Sequence, residues 1–153
     1  MKNLNDKTLS CVAIRTDGQD GIISEVGVVN MNGEEMHTIN HTPSGFGVRF
    51  LTVEWLMTAV QDSEALVFFD QRTKRELTML CLQFGVSIEK EWVDGAQLVR
   101  ETLPHLIQHD DDGLAEIADR LRLEFVESDA RWDAFALAVA VNQALTPDMD
   151  VAA

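Results

Sequence analysis

The sequence predicts an α/β fold on a mixed sheet. Strand-like runs open the chain as a meander. A later run, Ala65 to Phe69, is short and continuously apolar, the pattern of a strand covered on both faces. From that point strands and helices alternate, which is the order of an α/β layout.

Leu9 to Ile14 reads as the first strand, followed by a turn at Thr16-Asp17-Gly18-Gln19-Asp20-Gly21. Ile22 to Asn30 is the second strand, and Asn32-Gly33 is a strong hairpin signal. Glu34 to Asn40 is the third, broken by Pro43-Ser44-Gly45. Thr52 can cap a helix running to about Gln61. After Ala65 to Phe69, Asp70 caps a long helix to Gln83, which Gly85 ends. Trp92-Val93 is a short strand, and Ala96 to Leu103 is helical until Pro104. Gly113 to Leu123 and Asp129 to Leu145 are amphipathic helices, with stripes of Leu114, Ile117 and Leu121, then Phe135 and Val139 among alanines. No repeat or linker interrupts 1–153, which reads as one domain, with a loose tail at 147–153.

Composition fits a globular chain that can build a core: 46% hydrophobic and 25% charged over 153 residues. The net charge of −14 repels phosphate backbones, so loose binding to nucleic acid is disfavoured. Cys11 and Cys81 lie far apart without metal-type spacing and read as small buried hydrophobes of a reducing compartment. No apolar run approaches membrane-spanning length, and Met1 to Asp6 is too polar for a signal peptide, so a cytoplasmic location is expected.

Ser128-Asp129-Ala130-Arg131-Trp132-Asp133-Ala134 opens the last helix. The segment resembles the final motif of the DEDDh proofreading-type 3′–5′ exonucleases, in which a His, four spacer residues and an Asp begin that helix. Val12 to Gly18 with Ile22 to Val29 is similar to the family's first motif and second strand. Leu66 to Phe69 with the helix after it is similar to the second motif, and Trp92 to Arg100 to the fifth strand and its helix. Leu114 to Ala118 with Leu121 to Leu123 resembles the helix before the last motif. Phe46 to Glu64 is shorter than is usual for the family. The resemblance implies a ribonuclease H-like fold, whose chemistry uses four acids to hold two divalent ions.

On these motifs the first-strand acids fall at Ala13 and Arg15, the second-motif Asp at Thr73, and the general-base His at Ser128. Asp133 alone is kept. Alanine offers no oxygen, arginine brings a permanent positive charge, and serine takes up no proton near neutral pH. One carboxylate does not hold a pair of magnesium ions. If the fold is right, Arg15 and Asp133 meet as an ion pair in place of metal.

The resemblance therefore implies a catalytically degenerate domain that binds as a subunit, adaptor or inhibitor, with a protein partner in nucleic-acid metabolism and no metal. The alternative is an active exonuclease, dependent on Mg²⁺ or Mn²⁺, whose ligands are displaced to Asp17, Asp70 or Asp129. Asp70 becomes the second-motif acid if the register shifts by one helical turn, although Asp17 also reads as a turn residue and Asp70 as a cap. An acidic decoy mimicking DNA is a third class, allowed by charge only.

Other features have plainer readings. His105 and His109 before Asp110-Asp111-Asp112 have the spacing of a helical metal pair, but lie between Pro104 and Gly113, where a loop is expected. The acids there read as a solvated run capping the next helix. His37 and His41, four strand residues apart, are about 13 Å from each other, too far to share an ion. Trp55, Trp92 and Trp132 read as core or interface anchors, with Trp132 able to plug the cleft beside Asp133. Arg72, Lys74 and Arg75 form the dense basic cluster, readable as a weak phosphate track or as a solvated face. Asp150 to Ala153 resembles a bacterial degradation tag only slightly.

Overall fold

The computed structural model describes residues 4, 7–16, 23–32, 35–41, 49–123 and 130–146. The turn at 17–22, the hairpin turn at 33–34, the break at 43–45, Ser128, Asp129 and the tail from 147 lie outside the described residues. The elements are β1 (Leu9–Thr16), β2 (Ile23–Asn32), β3 (Glu35–His41), α1 (Arg49–Ala59), β4 (Ala65–Phe68), α2 (Gln71–Gln83), β5 (Glu91–Asp94), α3 (Gly95–Thr102), α4 (Leu114–Arg120) and α5 (Ala130–Leu145).

They form one five-stranded sheet in the order β3-β2-β1-β4-β5. The β1–β2 and β2–β3 pairs are antiparallel, and β1–β4 and β4–β5 are parallel. Strand alternation sends β1 to two cores. Leu9, Cys11 and Ala13 face α5, where they meet Val29, Val67, Ala134, Leu137 and Val141. Val12 faces the other way, with Val26, Val28 and Leu66, onto Val53 and Leu56 of α1 and Leu77 and Cys81 of α2. The two cysteines are free and buried on opposite sides of the sheet. Burial pushes both thiols up from their ordinary value, so they behave as the expected hydrophobes.

The last helix departs from its expected stripe. Phe135 and Val139 are only half-buried, whereas Ala134, Leu137, Ala138 and Val141 are sealed. The reason is that α5 has two covers. The sheet lies on one side, and Ala140 and Ala144 pack against Val99, Leu103 and Ile117 of the α3–α4 layer on the other. A helix covered on two sides is apolar nearly all round, so a single stripe cannot be read from it.

The cap expected at Thr52 is also corrected. The helix begins at Arg49, and Thr52 lies inside it, buried. At the far end of α1 a polar knot fixes its exit. The Ser10 hydroxyl donates to Asn30 Oδ1 and contacts the Ser63 hydroxyl, while Asn30 Nδ2 donates to the Ala59 carbonyl at 2.8 Å. Lys90 Nζ adds a 2.6 Å bond to the Ser63 carbonyl.

The cap expected at Asp70 is present, and Asp94 adds one for α3 that the sequence reading did not single out. Asp70 accepts from the Thr73 N–H at 2.8 Å, and Asp94 accepts from the Gln97 N–H at 3.0 Å. The ends of α2 and α4 use the same left-handed turn with different residues. Gly85 has φ +74°, and Val86 N–H reaches back to the Cys81 carbonyl. Arg122 has φ +59°, and Leu123 N–H reaches the Ala118 carbonyl. A side chain in that conformation costs roughly 1 kcal/mol relative to glycine. Gly85→Ala is therefore expected to lower unfolding stability by about 1 kcal/mol and Arg122→Gly to raise it by a similar amount, read by urea denaturation. Equal and same-signed shifts from the two changes would contradict this reading.

Candidate functional site

The carboxyl end of β1 is where ligands gather in open α/β sheets, because adjoining loops diverge there. In this chain that end carries Arg15 and Thr16, with a ladder irregularity between them. Arg15 shares the α5 face with Ala13, because the two are separated by one residue of strand. Its partner across the β1–β2 ladder is Glu25. Directly opposed residues of an antiparallel pair project to the same face, so Glu25 shares the face of Arg15.

Asp133 reaches the same place from α5. Two small residues make this possible. Ala13 and Gly27 are cross-strand partners on the α5 face. A Cβ on Gly27 would lie 2.2 Å from the Ala130 carbonyl oxygen and 2.6 Å from the Arg131 nitrogen. The first turn of α5 thus rests on bare strand backbone. From that seat Asp133 sits in the first turn, where a carboxylate is favoured by the helix dipole.

The two side chains form a fork. Arg15 Nε donates to Asp133 Oδ2 at 2.9 Å, and Arg15 Nη2 donates to Asp133 Oδ1 at 3.2 Å. The ion pair expected from the sequence is present. Its side chains are 32% and 22% exposed, so water screens the pair only in part. Planar two-point pairing is a geometry available to arginine and not to lysine.

Thr73 does not join this pair. It is buried on the sheet-facing stripe of α2, on the opposite side of the sheet from α5, and its hydroxyl donates to Asp70 Oδ1 at 2.8 Å. Asp70 in turn is engaged as the α2 cap. Ser128, Asp17 and Asp129 lie outside the described residues. Among the described residues no group of three or more His, Cys, Asp or Glu side chains could hold a metal ion.

The basic cluster straddles the same strand end from the α2 side. Arg72 Nη2 donates to Thr16 Oγ1 at 2.7 Å, Lys74 Nζ sits 5.6 Å from the Phe68 ring centroid, and Arg75 approaches Glu76 at 3.8 Å. The tryptophans pack within the protein. Trp55 and Trp92 border the α1–α2 core, Trp92 meets Phe68 edge-on, and Trp132 meets Phe135 edge-on under the Arg131 guanidinium.

The His105–Asp112 segment is irregular, so the two histidines do not share a helix face. Asp112 is not the cap expected for α4, whose N-cap is Gly113. Its Oδ2 instead accepts from the Arg120 guanidinium at 2.6 Å and from the backbone N–H groups of Gln108 and His109. Arg120, and then those N–H groups, hold its pKa at about 2, below the ordinary 3.8. His37 and His41 belong to β3, and their side chains lie outside the described residues.

A search of solved structures finds Exonuclease X, solved in complex with 5′-overhanging duplex DNA. The superposition has TM-score 0.57 and 13% identity, covering 91% of this chain and 93% of that chain. The fold is ribonuclease H-like. RuvC of Thermus thermophilus also matches, at TM-score 0.38 and 16% identity over 92% and 96% of the two chains, too loosely to add weight. No family model and no curated protein matches. At such identity the ribonuclease H-like likeness concerns the arrangement of elements and carries no chemistry with it. No described helix is long and apolar enough to cross a membrane.

Sequence reasoning found Arg15 and Asp133 but passed over Glu25 and Gly27. Register was the missing signal: the hairpin pairing that places Glu25 opposite Arg15 also places Gly27 opposite Ala13.

Three outcomes test the site. A double-mutant cycle of Arg15→Met and Asp133→Leu is expected to give a coupling of about 1–2 kcal/mol in urea unfolding, and zero coupling would refute the fork. Gly27→Ala is expected to cost about 3 kcal/mol or prevent folding, because the added carbon meets backbone. For Asp112, the folded pKa is depressed, so its stabilisation is complete above about 3.8 and is lost as pH falls toward about 2. Asp112→Asn is expected to flatten that stretch of the stability–pH curve, followed by circular dichroism.

Proposed function

We propose that this chain is a catalytically degenerate relative of the proofreading 3′–5′ exonucleases, and that it acts by binding a protein partner in nucleic-acid metabolism as a subunit, adaptor or inhibitor. One observation carries the reading: the Arg15 guanidinium occupies both oxygens of Asp133 at the end of β1. Two-metal hydrolysis needs carboxylates that converge on cations about 4 Å apart. Here the cation is covalently part of the chain. It is neutralised by the acid that a metal would need, and the neighbouring Ala13 supplies no oxygen. The described residues at this strand end do not fit a magnesium or manganese pair, so no hydrolytic step is assigned to them.

The acid balance supports the partner class. A chain with 26 carboxylate and 12 Lys or Arg side chains repels free nucleic acid at long range. It attracts basic proteins of the kind that handle nucleic acids.

Two assays separate this reading from a working nuclease. The wild-type chain is expected to leave labelled single-stranded DNA intact with Mg²⁺ or Mn²⁺ and to show no cation-dependent rise in Tm. The Ala13→Asp/Arg15→Glu double variant, which returns two carboxylates to the face that holds Asp133, is expected to gain a Mn²⁺-dependent rise. DNA cleavage by the wild type that Asp133→Asn abolishes would establish the exonuclease with displaced ligands instead.

A further inference from the structure

Helix α2 is an exception to the charge of the molecule. It carries Arg72, Lys74 and Arg75 against a single acid, Glu76, in a chain whose net charge is −14. The arrangement on the helix is ordered. Thr73, Leu77, Leu80 and Cys81 are buried on the side that faces the sheet. On the opposite side, at helical spacings of three and four, stand Arg72, Arg75, Met79 and Leu82. Met79 is 53% exposed and Leu82 56% exposed, and the Arg75 side chain is 65% exposed. The outer face of α2 is thus basic near its N-terminus and apolar toward its C-terminus. A lone exposed Leu needs no explanation, but apolar side chains in register with a basic end form a patterned surface.

We propose that this stripe docks an amphipathic segment of a partner protein, one that presents carboxylates at one end and apolar side chains at the other. The proposal deepens the binding reading above and rests on it. A rise of 1.5 Å per residue separates Arg75 from Leu82 by about 10 Å, so the partner's acids and its apolar anchors stand about 10 Å apart. Charge complementarity selects this occupant. Charges farther than about 8 Å are largely screened in physiological salt, so the local field on this face is set by Arg72 and Arg75 together with Glu76 and the capping Asp70. Nucleic acid fits less well, because Met79 and Leu82, exposed on the same face, offer a phosphate nothing.

The test uses the full chain and two synthetic helical peptides. Both carry leucines at positions i, i+3 and i+7; one has a glutamate pair two turns away along the same face, and the other has lysines there. Fluorescence anisotropy is expected to show the Glu peptide binding the wild type and the Lys peptide binding about tenfold more weakly. Leu82→Asp is expected to weaken the Glu peptide by about tenfold, through lost apolar burial. Arg72→Glu/Arg75→Glu is expected to reverse the preference, so that the Lys peptide binds better. All three positions are exposed, and circular dichroism checks that the variants remain folded.

Equal binding of the two peptides, or no reversal in the charge-swapped variant, would overturn the proposal. Displacement of the Glu peptide by a single-stranded oligonucleotide would assign the face to nucleic acid. A wild-type dimer in sedimentation velocity that Leu82→Asp dissolves would assign it to a second copy. None of these results touches the Arg15–Asp133 pair. A chain that ignores the peptides and also ignores Mn²⁺ loses this surface and keeps the degenerate-site reading.

Discussion

The seating of the first turn of α5 on Gly27 governs the arrangement around the β1 end. Helices ordinarily stand off a sheet by the thickness of the side chains between them. Here the strand presents no side chain at the crossing, and helix backbone meets strand backbone. The flanking residues are correspondingly small: Ala13 is the ladder partner of Gly27, and Ala130 and Ala134 are sealed beside them. This close seat is what lets a carboxylate as short as Asp133 reach a residue on the neighbouring strand β1. The fork with Arg15 is a consequence of the seat, and in turn it fixes the helix against sliding, because two-point pairing tolerates little displacement.

Charge placement follows from the same geometry. A carboxylate held at a half-buried helix start needs a counter-charge, and the available space lies over the end of β1. A divalent ion or a side-chain cation can each fill that need. With arginine at position 15 the demand is met from within. The charge of Asp133 is thereby balanced within the chain. A separate cationic spot on α2 touches the same strand end from the other face through Arg72 and Thr16, while the outer side of that helix faces solvent.

The sequence made much of this visible, unevenly. The meander, the twice-covered strand Ala65–Phe68 and the cap at Asp70 follow from alternation, apolar runs and an acceptor side chain, which are local signals, whereas the cap at Asp94 was not singled out. The meeting of Arg15 and Asp133 is not local, with 117 residues between them, and only the motif order of a known family suggested it. Where expectation failed, the cause was tertiary. Thr52 looks like a cap but is buried inside a helix that starts a turn earlier, and the apolar circumference of α5 hid which face met the sheet. The acid run Asp110-Asp111-Asp112 looked like a solvated cap for α4, yet Asp112 gathers Arg120 and the turn at Gln108 and His109. Glu25 and Gly27 could not be weighed until the register of the hairpin was known.

The central claim is that a guanidinium holds the place of a metal ion. The most direct test is the proton-detected NMR signal of the Arg15 side-chain Nε–H, followed during titration with paramagnetic Mn²⁺. The account predicts a slowly exchanging, sharp signal that persists at stoichiometric Mn²⁺, moving only when Asp133 is replaced. Broadening of that signal at equimolar Mn²⁺, together with the backbone amides of Ala13 and Asp133, would place the ion in the pocket and contradict it.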